Sequence, residues 1–178
     1  MKFATFSATV AIAGAVKLDQ VHNRGGRIGH DSSVKQHQEQ PKCYKQKLHN
    51  DQNTQYYGEV EIGDQTVEAI FDTGSFELLV MSALCQRCAE KPYDHTKSHG
   101  TYHAPEQEEI MEHSFGSGPT LSSKGYDEVK VGTFTAENQM IWEIMDHQIE
   151  ALDYSNFHAI VGIGHNHAPE SDEQTLLM

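Results

Sequence analysis

Asp72 is the residue best placed to do chemistry. It follows the apolar run Ala69-Ile70-Phe71 and heads the turn Thr73-Gly74-Ser75. A strand end fixes a carboxylate, Gly74 permits a turn tight enough to bring backbone N–H groups to its oxygens, and the Ser75 hydroxyl is free to donate to one of them. A carboxylate held in this way offers proton transfer, as a base when ionised and as an acid when protonated. Asp-Thr-Gly also occurs in ordinary turns, so its surroundings decide what it means.

The cysteines offer a second set of reactive groups. Cys85-Gln86-Arg87-Cys88 has the spacing of a thioredoxin-like redox pair, but that motif belongs at a helix start in a βαβ unit, which the flanking sequence lacks. With His95 and His99 the two cysteines also make a zinc set, although the gap of six residues between the pairs is shorter than the usual finger loop. A local disulfide is the better reading in an exported chain, and it leaves Cys43 odd. No metal and no cofactor are expected. His103, His113, His147, His165 and His167 read as surface histidines, Trp142 and Phe134 as core, and Glu106, Glu108, Glu109 and Glu112 as a solvated acidic face.

The elements that must position Asp72 are short and β-like. Tyr56–Ile62 and Thr66–Phe71 flank a Gly63-Asp64 turn, the signature of a hairpin. Leu78–Met81, Tyr126–Val131, Gln139–Ile144 and Ala159–Ile163 continue the series between Gly, Ser and Asp punctuation. An all-β domain with short helices follows, Glu143–Tyr154 supplying one or two helical turns. Ser171, with Gln174 three residues on, opens like a capped helix that the chain end cuts off, leaving Leu176, Leu177 and Met178 as an apolar stub.

The 178 residues suit one domain. Acidic residues outnumber basic ones 26 to 13, so nucleic acid would be repelled over most of the surface. The 12 histidines would offset much of that charge near pH 5, which suits an acidic compartment. Lys2 followed by the apolar, small-residue run Phe3–Val16, with Ala13 and Ala15 in an A-x-A-like site, reads as a signal peptide over residues 1–15, with a buried N-terminal helix or strand as the alternative. No other stretch approaches the roughly 18 apolar residues that span a bilayer. Residues 16–53 are polar with no evident period; they read as a propeptide, whose Lys42, Lys45 and Lys47 lie over an acidic cleft until removed, or as a flexible linker. Ordered structure is expected from residue 54 to residue 178.

Taken together, the motifs resemble those of pepsin-like aspartic proteases, specifically the N-terminal lobe. Tyr56-Tyr57-Gly58-Glu59-Val60-Glu61-Ile62-Gly63 is similar to the family's first hairpin, Asp72-Thr73-Gly74-Ser75 to its catalytic turn, and Leu78-Leu79-Val80 to the strand after it. Cys85 and Cys88 fall at the small disulfide loop, and Tyr93, Ser98, Thr101 and Tyr102 at the region following it. Phe115-Gly116-Ser117-Gly118 resembles the flap, Gly125-Tyr126-Asp127 with Val129 and Val131 the strand leaving it, and Phe157–Gly162 the element whose Ile160, Val161 and Gly162 brace the catalytic loop. The motifs run in the family's order from Tyr56 to Gly164. The resemblance implies a peptide substrate, a role for Thr73 in bonding to a partner lobe, and two aspartates sharing one water, one ionised and one protonated. It also implies secretion or delivery to a lysosome- or vacuole-like compartment.

Three positions depart from the pattern. Phe115 stands where the flap tyrosine is usual, Leu79 where a tryptophan bonds its hydroxyl, and His158 where an acidic residue is usual. Replacing both members of the tyrosine–tryptophan pair by apolar groups is nearly neutral energetically, whereas losing one is not. One Asp-Thr-Gly occurs, so a dyad requires a C-terminal lobe beyond residue 178 or a second copy pairing two Asp72 residues as in retropepsins; a catalytically dead binding module is the alternative from another class. The truncated final helix favours the first.

Overall fold

The structure, a computed structural model, describes residues 9–13 and 43–164. The rest of the candidate signal and pro-segments, His165, His167 and the Ser171 helix with its apolar stub lie outside the described residues.

Alternation of apolar and polar residues builds the first hairpin. Strands β1 (Thr9–Ala13) and β2 (Cys43–Lys47) pair antiparallel; β3 (His49–Asp51), β4 (Gln55–Ile62) and β5 (Gln65–Asp72) follow. Val60 and Ile62 on β4 and Val67 and Ala69 on β5 point into the core, and Gly63 and Asp64 close the turn at φ 51° and 64°. Two consecutive left-handed residues match the right-handed twist of the flanking strands, which is why a Gly-Asp pair sits there.

After β6 (Leu78–Met81) come a 3-10 turn (His95–Lys97), β7 (Ile110–Phe115), β8 (Gly118–Val131), β9 (Phe134–His147), the short helix α1 (Glu150–Tyr154) and β10 (Ala159–Gly162). The large sheet runs β3-β4-β5-β10-β6-β9-β8-β7, and β4 also pairs with β8, folding the sheet back on itself. The fold is all-β, as the spacing of the short apolar runs implies.

Strands β6 and β10 lie mid-sheet and are buried along their whole length, so both read as continuous apolar runs. One face carries Leu78, Val80, Val161 and the hairpin residues; the other carries Leu79, Met81, Trp142, Ile160 and Leu152. The second face is the one that meets the site.

Two expectations are corrected. The stretch before Gln55 does contribute to the fold: Tyr44 packs on the core, and Gln46 and Leu48 are buried while Lys45 and Lys47 are exposed. A period of two is present there, hidden because its central inward residue is a glutamine. Glu143–Tyr154 is not helical throughout; Glu143–His147 completes β9 and the helix begins at Glu150. Burial of Trp142 and Ile144 on the sheet outweighs the helix propensity of the charged residues between and after them.

Candidate active site

Asp72 ends β5, half-buried, and its carboxylate is held from two sides. The Gly74 N–H donates to Oδ1 at 2.9 Å and the Ser75 hydroxyl donates to Oδ2 at 2.7 Å. A Cβ on Gly74 would stand 3.3 Å from Oδ1, so glycine keeps the loop tight against the carboxylate. Thr73 is exposed at the tip.

β10 braces this loop from beneath. It runs parallel to β5 with Gly162 opposite Asp72, and the Ile163 N–H donates to the Asp72 carbonyl at 2.8 Å. Gly162 N–H donates to Glu77 O and Gly164 N–H to Ser75 O, each at 2.8 Å. A Cβ on Gly162 would come within 2.4 Å of the Glu77 nitrogen, and one on Gly164 within 2.8 Å of the Thr73 and Ser75 carbonyl oxygens. These contacts are to backbone, which cannot swing aside. Ile160 and Val161 are buried on opposite faces of β10 and anchor it in the two halves of the core.

The β7–β8 hairpin arches over the carboxylate. Phe115 pairs with Gly118 across the two-residue turn Gly116-Ser117. Gly118 has φ 140°, and a Cβ there would meet the Gln148 carbonyl oxygen at 2.7 Å. Phe115, Gly116 and Ser117 line a cavity of about 320 Å³ together with Asp72. Its other walls are Gln55 and Ile70, Ile149, Ala151 and Leu152 at the helix, and Phe157 and Ile160. A carboxylate at the edge of a mostly apolar cavity suits a ligand with an apolar side chain and a polar group to be acted on.

These wall residues come from separate elements. Ile70 and Ile160 were legible as strand residues and Phe157 as a motif residue, but nothing local marks Gln55, Ile149 or Leu152 as site residues; only the folding of α1 under the hairpin gathers them.

Behind the sheet, the residues of the Tyr93–Tyr102 segment converge on two buried carboxylates. Asp127 accepts from the Tyr93 hydroxyl at 2.8 Å, from Ser98 Oγ at 3.0 Å and from Thr101 Oγ1. Glu143, 1 % exposed, faces His95 Nδ1 at 3.0 Å from both oxygens, with Tyr102 stacked on the His95 ring. Burial, with Asp127 second, pushes the Tyr93 hydroxyl far above its ordinary range, and burial followed by the Glu143 charge pushes Tyr102 up to about 12. Both phenols stay neutral donors.

Cys85 and Cys88 are joined by a disulfide buried in the second core face. His95 and His99 face Glu143 and Asp64, not the sulfurs. Among the described residues no group of three or more His, Cys, Asp or Glu is gathered for an ion, and no helix is long and apolar enough to cross a membrane. His113 and His147 are corrected from surface residues to buried ones: the His113 and His147 side chains are 6 % and 4 % exposed, each beside a carboxylate.

Comparison with known proteins gives a family whose description is "Eukaryotic aspartyl protease", matched over residues 55–178. "Aspartic protease 1" of Toxoplasma gondii is 32 % identical over 124 residues, covering 66 % of this chain and 20 % of that protein. "Renin-2" of Mus musculus is 33 % identical over 66 % of this chain and 30 % of its own length, and "Pepsin A" of Bos taurus 32 % identical over 67 % and 33 %. The chain thus spans a fifth to a third of the length of these curated relatives.

Proposed function

The chain belongs to the eukaryotic aspartyl protease family, and from that premise we propose that it is the lobe carrying one of two catalytic aspartates of an endopeptidase, with Asp72 in that role. The observation that carries the reading is the Asp72 carboxylate, gripped by Gly74 N–H and Ser75 Oγ at the edge of an apolar cavity beneath a glycine-tipped hairpin. The second aspartate comes from a partner lobe beyond this sequence or is Asp72 of another copy of the chain; Thr73, exposed at the loop tip, would bond across to it.

The mechanism is direct attack by water. Two adjacent carboxylates resist ionising together, so one is charged and one protonated, and the protons belong to the pair. The ionised member takes a proton from the water as it attacks the peptide carbonyl, and the protonated member gives its proton to the carbonyl oxygen, leaving a gem-diol; as the C–N bond then breaks, the first carboxyl passes its proton to the departing nitrogen and the second takes one from a gem-diol hydroxyl, which restores the pair. No covalent acyl-enzyme forms. The cavity under Phe115 receives an apolar side chain next to the scissile bond, and closure of the hairpin keeps solvent out while the attacking water stays. The leading apolar run and the histidine content support export to an acidic compartment.

A second reading, a binding module without catalysis, is favoured by Phe115 and Leu79, which leave the hairpin tip no hydroxyl–indole bond of its own. One assay separates the two: hydrolysis of a peptide with apolar residues about the cleaved bond, at acid pH, by the assembled two-lobe protein. Turnover that a statine-type transition-state analogue blocks supports the endopeptidase. Tight analogue binding with no turnover supports the binding module.

A further inference from the structure

His113 sits on the inward face of β7, two residues before Phe115, and is buried although its strand neighbours are exposed. Its Nε2 lies 3.2 Å from the Glu77 carboxylate, which is itself only 12 % exposed, and its ring meets the Trp142 indole edge-on at 4.8 Å. Glu77 belongs to the catalytic-loop segment: its carbonyl accepts the Gly162 N–H, and Gly162 pairs with Asp72. A continuous set of contacts therefore leads from the hairpin, through His113 and Glu77, to the strand that fixes Asp72. The other face of Trp142 belongs to the core that floors the cavity. Among the described residues, the His113–Glu77 contact is the polar side-chain link between the hairpin and the loop segment.

We propose that His113 and Glu77 are positioning residues: their bond holds the β7–β8 hairpin at the height at which Phe115 and the Gly116-Ser117 turn meet a substrate above Asp72. The proposal rests on the reading of the hairpin as a flap over the catalytic aspartate. It gives the flap a polar anchor one inward position below its tip, where Phe115 offers none. Burial makes the anchor specific. In the dry interior a donor–carboxylate bond is directional and its loss leaves a stranded charge, whereas apolar contact alone allows the hairpin to slide.

Removing one partner will also lower stability, so single variants do not suffice. The deciding variant is the double exchange His113→Phe with Glu77→Leu, which removes both polar groups and leaves neither stranded. It is compared with the wild type, with His113→Gln, whose amide keeps a donor near the Nε2 position, and with Glu112→Gln on the exposed face of the same strand. Peptide turnover by the assembled protein and amide exchange across residues 113–120 are measured on each, alongside melting temperature. The double variant is expected to melt near the wild type but lose about 10- to 100-fold in kcat with KM changed less than about 3-fold. Its hairpin amides should exchange about 10-fold faster. His113→Gln should recover most of both, and Glu112→Gln should match the wild type.

Recovery of kcat and hairpin protection together with stability in the double variant would overturn the anchor and leave an ordinary buried pair. If no peptide is cleaved by the wild type, the endopeptidase reading fails, and the exchange measurement alone then decides whether His113 and Glu77 hold the hairpin.

Discussion

Two donors fix the Asp72 carboxylate, and they differ in what a substitution removes. Gly74 gives a backbone N–H that no side-chain change deletes, so Ser75 is the one to vary. Ser75→Ala should lower kcat by about 10-fold or more while the melting temperature hardly moves, because the lost bond orients a partly solvated carboxylate. Ser75→Thr, which keeps the hydroxyl, should retain most activity; equal kcat in all three proteins would remove Ser75 from the site. The grip on the carboxylate was legible in the sequence because both of its donors lie within three residues of Asp72. His113 was not, and its reading as a surface residue was wrong. The carboxylate that faces its Nε2 lies 36 residues away, and no local pattern on β7 distinguishes it from the exposed residues on either side.

At the level of elements, the site depends on β10 fitting closely under the loop. Gly162→Ala would drive a methyl group into the Glu77 and Phe76 backbone. We expect a loss of about 1–3 kcal/mol or more, read as a melting temperature lower by several degrees, with activity falling as the loop shifts. An unchanged melting temperature would mean the brace is looser than the contacts imply. The strands nearest the site, β4, β5, β6 and β10, have short runs bounded by glycine or polar turns and were read almost to the residue. The long β8 and β9 were seen only as fragments, since the inward positions Thr120 and Ser122 of β8 are polar and the start of β9 is exposed or half-buried. Glu143 argued for a helix there. Only the fold supplies the His95 and Tyr102 partners that let a carboxylate sit inside a strand at 1 % exposure.

For the whole molecule, acid stability follows from groups that burial perturbs. His158 is held below its ordinary value by burial, with the Glu90 charge opposing. Its folded form binds its proton at lower pH than its unfolded form, so unfolding takes up protons in the window from that lowered value up to about 6.5. Stability therefore falls as pH drops through this window and is flat above it. His158→Asn should remove that fall: variant and wild type converge at neutral pH and separate near pH 5 in favour of the variant. Parallel melting curves would contradict it. Burial raises Glu68, giving the opposite sign at lower pH, where protonation favours the folded form. The account as a whole turns on one carboxylate doing proton transfer with a twin from outside this chain. The most direct measurement is acid-pH peptide hydrolysis by the assembled two-lobe protein and its Asp72→Asn variant, matched for melting temperature. The account predicts a loss of about 10³-fold or more in kcat. Turnover by Asp72→Asn within a few-fold of the wild type would contradict it.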